Sequence, residues 1–304
     1  MYLVSILATS RCVNEIVLAN WRVRDKPLQF GVFINIRTLL EASLAIYLVV
    51  VVNMSWQGQV YSTTTVYFIF AIIGVFILHR KGLIFWKLNL KYLRHALLFG
   101  LPLIVPALAG QVNSSVNRIF ISNMVGIADM GIYTLGYQIG GVVYLIYMAY
   151  NQAFTPWLYR KLNNGSMKDK TQIVKITYLY FAFLIITAIF LGILAPLALK
   201  FIVADNFYDA HIYVLWIALG FAFDGMYVAV NSYIYYAEKT RLIIIPTLSG
   251  AIINIILTYL FLRELGPVGA AYAKLISSMW AFLLAWYISI KVYPMPWWKI
   301  TNKL

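Results

Sequence analysis

Long apolar runs, separated by short polar connections, form the main pattern along this chain. The runs hold roughly 20–27 residues, the length that a helix needs to cross a bilayer. None of them alternates apolar and polar positions with a period of two, so they predict membrane-spanning helices and not barrel strands. The predicted spans are residues 1–20, 30–52, 60–78, 96–123, 131–157, 172–195, 210–236, 242–263 and 267–290. The chain is therefore predicted to be all-α, a polytopic integral membrane protein with about nine transmembrane helices.

Composition supports this class. The 304 residues are 62% hydrophobic and 11% charged, with a mean hydropathy of +0.81, whereas an ordinary soluble domain is about 25% charged. A single cysteine, Cys12, excludes a disulfide framework and a Cys-based metal site. The three histidines have no ligand spacing, and motifs for nucleotide binding or hydrolysis are missing from the sequence. No metal, no cofactor and no enzymatic activity are predicted.

The basic residues concentrate in alternate connections. They cluster at positions 22–26, 80–94, 160–175, 239–241 and 291–303, whereas the intervening connections carry Lys200 and Arg263. This asymmetry follows the positive-inside rule, which places the basic loops and the C-terminus in the cytoplasm. It also accounts for the net charge of +14 without nucleic acid as a partner.

Two parts of the chain repeat one pattern. The turn RVRDKP at 22–27 is followed, after an apolar segment, by Gly58, and the turn AEKTR at 237–241 is followed in the same way by Gly269. The separations nearly agree, so the first three segments resemble the last three in a parallel repeat of the transporter type. On this interpretation three further helices are expected upstream of Met1, and the chain lacks the first three helices of a larger bundle.

The stretch from residue 94 to residue 162 combines two long apolar segments with polar and helix-bending residues. Pro102 and Pro106 lie one turn apart in the first segment and are predicted to kink it. Gln111 and Arg118 follow in the same segment. Polar atoms and a broken backbone at membrane depth need protein or a watery cavity around them, so this stretch is predicted to line a path.

Four charged side chains lie deeper still. At about 1.5 Å of rise per residue, Glu41 and Asp224 lie near the centres of their segments, and Arg37 and Lys274 lie within roughly 7 Å of theirs. Charges at such depth cost at least about 2.5–3.5 kcal/mol and mark pathways or proton relays. Arg118 lies roughly 13 Å from its centre, where its side chain could instead snorkel to the outer surface.

Each candidate has a structural alternative. Arg37 and Glu41 are one turn apart, so they could neutralise each other within one helix. Asn35 and Thr38 extend a polar stripe beside Arg37, which favours a cavity face. Asp224 and Asn231 share one face of a later helix. That face is predicted to line a cavity, and the alternative is a hydrogen-bonded contact with a neighbouring helix.

Several motifs in this part of the chain are typical of one family. They are GLP at 100–102, the run Asn117, Arg118, Ile119 and Phe120, GIY at 131–133, and NQA…P at 151–156. With these motifs the chain resembles the polysaccharide biosynthesis (Wzx-type O-antigen flippase) branch of the multidrug/oligosaccharidyl-lipid/polysaccharide exporter superfamily. Where that family often has Asp before the arginine, this chain has Asn117, so an Asp–Arg pairing there is lost.

The resemblance implies a MATE-like two-lobe bundle with an incomplete N-terminal lobe. Residues 1–80 would be the remnant of that lobe, 81–95 a cytoplasmic interfacial connection, 96–292 the C-terminal six-helix lobe, and 293–304 a cytoplasmic tail. The implied function is translocation of an undecaprenyl-pyrophosphate-linked oligosaccharide across the bacterial inner membrane by alternating access. A proton or sodium counter-ion would drive it, and membrane lipids would surround it.

Site roles follow from the resemblance together with depth. The cargo headgroup is assigned to Arg37, Arg118 and Lys274, because arginine in particular suits phosphate. The polar cavity and ion coupling are assigned to Glu41, Asp224, Asn35, Thr38, Gln111 and Asn231, and the helix kinks to Pro102 and Pro106. The alternatives are a multidrug or murein-precursor exporter of the same superfamily, and a membrane polysaccharide polymerase or acyltransferase, which the short outer connections disfavour.

Overall fold

A computed structural model of the chain describes residues 2–84 and 89–297, except for the side chains of residues 2, 95, 99, 102, 103, 105–107, 109, 111–114 and 202. Its helices are α1 Tyr2–Val23, α2 Pro27–Ile46, α3 Ser55–Arg80, α4 Leu90–Met124, α5 Ile127–Gly140, α6 Val142–Asn164, α7 Met167–Ile202, α8 His211–Tyr236, α9 Ile244–Leu265 and α10 Val268–Val292. A π-helical segment, Tyr47–Val51, extends α2, and short 3-10 turns precede α8 and α9. No strand occurs in the described ranges.

The predicted all-α membrane fold is confirmed. Eight stretches of the described residues are long and apolar enough to cross a membrane, and each overlaps one of the predicted spans over most of its length. The remaining predicted span, 96–123, lies within α4, which runs through residues 102 and 106. The side chains of Pro102 and Pro106 lie outside the described residues, so the kink there stays a prediction.

The chain divides into two compact units, Met1–Leu90 and Lys91–Leu304, here called the first and second units. The division falls within the predicted connection at 81–95. In the first unit α3 packs against both α1 and α2. Trp21, Phe33 and Phe70 form its aromatic centre, with edge-to-face ring contacts at 5.2 and 4.9 Å. The assignment of the two units to lobes of a larger transporter remains a prediction.

In the second unit α8 is the central helix. It packs against α5, α6, α7 and α10, and α10 also packs against α9. Residues 293–297 turn back beneath this bundle, where Trp297 is 3% exposed and its ring contacts Tyr233 and Trp286. The tail predicted at 293–304 therefore begins as a packed segment; residues 298–304 lie outside the described part of the chain.

The internal repeat has matching backbone geometry in the two units. Asp25 and Glu238, in the turns after α1 and α8, have φ of 50° and 57°. In each turn the next N–H donates to a carbonyl five residues back, from Lys26 to Trp21 at 3.0 Å and from Lys239 to Ile234 at 3.1 Å. This is the hydrogen-bond pattern of a left-handed helix cap. In the first unit α3 then packs on α1 and α2, and in the second unit α10 packs on α8 and α9.

One predicted span differs from its expected form. The sequence predicts a single helix over 131–157, but α5 ends at Gly140 and α6 begins at Val142. Gly140 lies so close to α8 that an added Cβ would be 2.9 Å from Ile217 Cγ2. Gly141 occupies the break itself, with its N–H donating to the Tyr137 carbonyl at 2.9 Å. The glycine pair therefore provides both close packing and a break within the span.

Candidate functional site

The second unit encloses a cavity of about 780 Å³, here called the central cavity. Residues of α4, α5, α6, α8, α9 and α10 line it, together with the break at Gly141. Irregular backbone at membrane depth is tolerated where it lines such a space. Its charged lining residues are Arg118, Asp224 and Lys274, two cations and one carboxylate, so the cavity has a net positive charge.

Lys274 and Asp224 form an ion pair between α10 and α8. Lys274 Nζ lies 2.5 Å from Asp224 Oδ2 and 5.2 Å from the centre of the Phe221 ring. The lysine side chain is 8% exposed and the aspartate side chain 26%. The lysine is thus enclosed by protein, whereas the carboxylate keeps a face toward the cavity. The two charges neutralise each other.

Arg118 lines the same cavity without a carboxylate partner. Its guanidinium carbon lies 5.1 Å from the centre of the Tyr137 ring, a cation–π contact. Its Nε is buried and has no hydrogen-bond partner among the described residues, and neither ion pair found in them includes it. The side chain thus lines the cavity, and its headgroup role stays a prediction.

Two neutral residues of the cavity lining each have one polar atom without a hydrogen-bond partner among the described residues. Asn231 is 2% exposed and Ser278 is 3% exposed, yet Asn231 Oδ1 and Ser278 Oγ have no hydrogen-bond partner within the described part of the chain. Buried polar atoms are normally paired with protein or with water. Together with Arg118 Nε they are three buried polar atoms beside the cavity that have no hydrogen-bond partner among the described residues.

Asn117 lies at the centre of a buried polar network, here called the Asn117 network. Its Nδ2 donates to the Tyr133 hydroxyl at 3.2 Å and to the Ala270 carbonyl at 3.4 Å. Its Oδ1 accepts from Asn254 Nδ2 at 2.9 Å and from Thr258 Oγ1 at 3.0 Å. The network ties α4 to α5, α9 and α10. Because Arg118 is the next residue, the same bonds hold the part of α4 from which its side chain extends.

Arg37 and Glu41, the charged candidates in the first unit, contact other residues and not each other. Arg37 is 8% exposed and its guanidinium lies 4.6 Å from the centre of the Tyr67 ring. Glu41 Oε1 accepts a hydrogen bond from Thr63 Oγ1 at 2.8 Å. Neither residue takes part in the ion pairs of the described residues, so the alternative of mutual neutralisation within α2 is not what the structure shows. Arg37 Nε and Nη1 are buried without a described partner.

The structure brings part of the predicted site together. Arg118, Asp224, Asn231 and Lys274 line the central cavity, and so does Gly110, about one helical turn after Pro106 in α4. The remaining candidates are Arg37 and Glu41, with Asn35 and Thr38 exposed beside them in the first unit. The Gln111 side chain lies outside the described residues.

Sequence reasoning found some of the neutral lining residues and missed others: Tyr227 and Tyr235 share the helical face of Asp224, and Ser278 lies beside Lys274 in sequence. Five tyrosines face the cavity, at positions 137, 144, 147, 227 and 235. The high tyrosine content pointed to such residues in general but could not select Tyr137, Tyr144 and Tyr147. Gln138 was also missed; an isolated glutamine two residues before a Gly-Gly pair inside an apolar segment is the signal that could have identified it.

Comparison with known proteins identifies relatives over most of the chain. Residues 26–162 match the family described as polysaccharide biosynthesis protein, and residues 102–260 match the MatE family. A protein of the Lsg locus of Haemophilus influenzae is 26% identical over 222 residues, which are 71% of this chain and 55% of that protein. An uncharacterized membrane protein of the same organism is 27% identical over 125 residues, 41% of this chain and 31% of that protein. The chain thus spans about half the length of the first relative.

Solved structures show the same fold. A mutant of the MATE transporter VcmN from Vibrio cholerae has a TM-score of 0.77 at 15% identity, covering 94% of this chain and 67% of that one. A MATE transporter in complex with MaL6 has a TM-score of 0.78 at 13% identity, covering 92% and 66%. A multidrug resistance MATE transporter of the MOP superfamily has a TM-score of 0.71 at 16% identity, with the same coverage of 92% and 66%. At these identities the likeness shows the fold alone.

Proposed function

We propose that this chain, which belongs to the MatE family of membrane transporters, flips an undecaprenyl-pyrophosphate-linked oligosaccharide across the bacterial inner membrane. The cargo would be a repeat unit of O-antigen, capsule or exopolysaccharide, moved from the cytoplasmic to the outer leaflet by alternating access. Such a cargo needs a cation for its pyrophosphate, together with hydroxyls, amides and aromatic faces for its sugars.

The uncompensated charge of Arg118 in the central cavity carries this proposal. The guanidinium stays charged and presents several donors in a planar fork, which suits phosphate oxygens. Lys274 is engaged with Asp224 at 2.5 Å, so of the two cavity cations Arg118 is the one available for an anion. Arg37, held over Tyr67 in the first unit, is the second available headgroup candidate.

The rest of the lining supports a glycan. Tyr137, Tyr144 and Tyr147 bring aromatic faces to the cavity, and flat rings pack well against the apolar faces of sugars. Gln138 and Asn231 add amides, which both donate and accept hydrogen bonds. The match of residues 26–162 to polysaccharide biosynthesis proteins supports the same class of cargo.

Ion coupling is proposed for a carboxylate inside the membrane. Glu41 accepts one hydrogen bond, from Thr63, and has no cation within ion-pair distance among the described residues. Asp224 already has Lys274 as its partner. Glu41 is therefore the better-placed residue for a proton or sodium ion, and Asp224 the second. We further propose that the C-terminus lies in the cytoplasm, as the basic loops indicate.

A multidrug exporter is the second candidate, since a multidrug resistance MATE transporter shares the fold. The net positive charge of the central cavity disfavours a cationic drug as guest, because like charges in a low-dielectric space repel strongly. A murein precursor carries the same lipid pyrophosphate and differs in its sugars. These alternatives are separated by the choice of ligand in a binding experiment.

Binding to the purified full chain tests the proposal. Native mass spectrometry would compare the lipid-linked oligosaccharide, a murein precursor lipid, and undecaprenol as the uncharged lipid. A charge-assisted hydrogen bond contributes about 1.5–3 kcal/mol, so Arg118→Gln should weaken binding of the pyrophosphate lipids by about 10- to 100-fold and leave undecaprenol unaffected. Preference for the oligosaccharide over the murein precursor would identify the cargo class.

Arg263→Gln is the matched control. Arg263 also lies over a tyrosine ring, with its guanidinium 5.9 Å from the centre of Tyr259, but it is exposed and does not line the cavity. It should bind every lipid as the wild type does. Equal affinity of the wild type for pyrophosphate lipid and undecaprenol, or equal loss in the two variants, would contradict the proposal.

A further inference from the structure

The central cavity contains one carboxylate, Asp224, and the ammonium group of Lys274 is already paired with it. We propose that Lys274 is a built-in counter-ion that takes the place of an alkali-metal ion at Asp224. While Lys274 is seated, the second unit binds no sodium or potassium ion there, and Lys274 does not bind cargo. This inference concerns ion binding and does not depend on which substrate the protein moves.

The seat of the lysine is built by α8. A Cβ placed on Gly220 would lie 3.1 Å from Lys274 Cγ and 3.5 Å from its Cε. Gly220 is one helical turn before Asp224, so the lysine stem runs along the helix toward the carboxylate. Phe221, the next residue, adds its ring 5.2 Å from Nζ. Three positions of α8 thus hold the stem, the ammonium group and its counter-charge.

The surroundings favour replacement by a small monovalent cation. The Asp224 side chain is 26% exposed and lines the cavity, whereas the Lys274 side chain is 8% exposed. Removing the ammonium leaves a carboxylate that faces a cavity of about 780 Å³, which is large enough for an ion and its waters. Carboxylate and water oxygens are the ligands that hard cations prefer.

Among the described residues that line the central cavity, no cation other than Lys274 is placed to pair with Asp224. Arg118 is directed at Tyr137, and the second ion pair of the described residues joins Lys161 and Asp169, which do not line the cavity. Loss of Lys274 would therefore leave one carboxylate without a protein partner. Removing one partner of a partly buried ion pair leaves the other charge uncompensated, which gives an external cation a reason to bind.

Equilibrium binding of radioactive rubidium ion to the purified full chain tests this inference. The wild type should bind none at Asp224. Lys274→Ala opens the place of the ammonium and should bind rubidium saturably, and the double variant Lys274→Ala with Asp224→Asn should lose that binding. Lys274→Met removes the charge but keeps the stem over Gly220, so it should bind more weakly than Lys274→Ala.

Thermal unfolding provides the second measurement. Lys274→Ala should be less stable than the wild type in N-methylglucamine chloride and should recover in rubidium or methylammonium chloride. At a salt concentration about tenfold above the dissociation constant, the ratio of folded to unfolded protein should rise about tenfold. The double variant should show no such recovery, because it has no charge for the ion to neutralise.

Three results would overturn the inference. The first is rubidium binding by the wild type that Asp224→Asn abolishes, because the site would then be open with Lys274 in place. The second is a folded Lys274→Ala that neither binds rubidium nor is stabilised by it. The third is a Lys274→Ala that aggregates on extraction in rubidium chloride and in methylammonium chloride alike.

Discussion

Replacing Asn117 by leucine is the most informative perturbation of the second unit. Leucine has nearly the same size but cannot form any of the four hydrogen bonds of the Asn117 network. Tyr133, Asn254 and Thr258, each fully buried, would lose a partner. The bonds join α4 to three other helices, so the variant should be less stable and should hold Arg118 less firmly.

The magnitude follows from the number of bonds. Hydrogen bonds between helices within a membrane contribute about 0.6 kcal/mol each on average, and up to about 1.7 kcal/mol. Four such bonds predict a loss of about 2–3 kcal/mol for Asn117→Leu. Thr258→Val removes one bond and leaves Asn117 Oδ1 paired with Asn254, so it should cost about 0.6 kcal/mol.

The assay is unfolding of the purified protein in a bilayer mimic, with the free energy measured by steric trapping. A double-mutant cycle of Asn117→Leu and Thr258→Val should be less than additive, because the second change removes a group that the first left unpaired. Ser122→Ala is the control, since its hydroxyl donates to the Ile119 carbonyl on the same helix and has no bond to another helix among the described residues. A loss under about 1 kcal/mol for Asn117→Leu, or strict additivity with Thr258→Val, would refute the reasoning.

Three further predictions concern packing, coupling and topology. Gly269→Ala places a Cβ against the Phe261 carbonyl and should destabilise by about 1–3 kcal/mol, whereas Gly31→Ala, with open space around it, should not lower the melting temperature; equal melting temperatures would contradict this. Glu41→Gln should remove the pH or sodium dependence of transport in proteoliposomes, and Asp224→Asn should affect it less; unchanged dependence in the double variant would rule out coupling through either carboxylate. With the C-terminus in the cytoplasm, a fluorescent protein fused to it should fluoresce and alkaline phosphatase fused to it should be inactive. An active phosphatase fusion would contradict the proposed orientation.

The helical membrane fold could be predicted from sequence because its signal is local. Apolar runs of sufficient length give the spans, and the alternation of basic connections gives a predicted orientation. The repeated turns at Asp25 and Glu238 were visible as charged breaks before an apolar run. The break at Gly141 was not predicted, because a Gly-Gly pair is equally suited to close helix packing, which is the role that Gly140 has.

The candidate site was predictable only one helix at a time. Depth along a helix selected Asp224 and Lys274 as residues that cannot be free, and the structure shows why: they neutralise each other across α8 and α10. Depth also suggested that Arg118 could snorkel, because distance along one helix does not show which neighbouring helices enclose a side chain. The partner of Asn117 on α9 is 137 residues away in sequence, beyond the reach of helical periodicity.

The central claim is that the uncompensated guanidinium of Arg118 receives the cargo's pyrophosphate during transport. Its most direct test is flipping of undecaprenyl-pyrophosphate-linked oligosaccharide in proteoliposomes that contain the full chain, measured as the fraction of cargo that becomes accessible on the far leaflet. The account predicts rapid flipping by the wild type and by Arg263→Gln, and loss of flipping in Arg118→Gln although that protein is folded and inserted. Undiminished flipping by Arg118→Gln would contradict it.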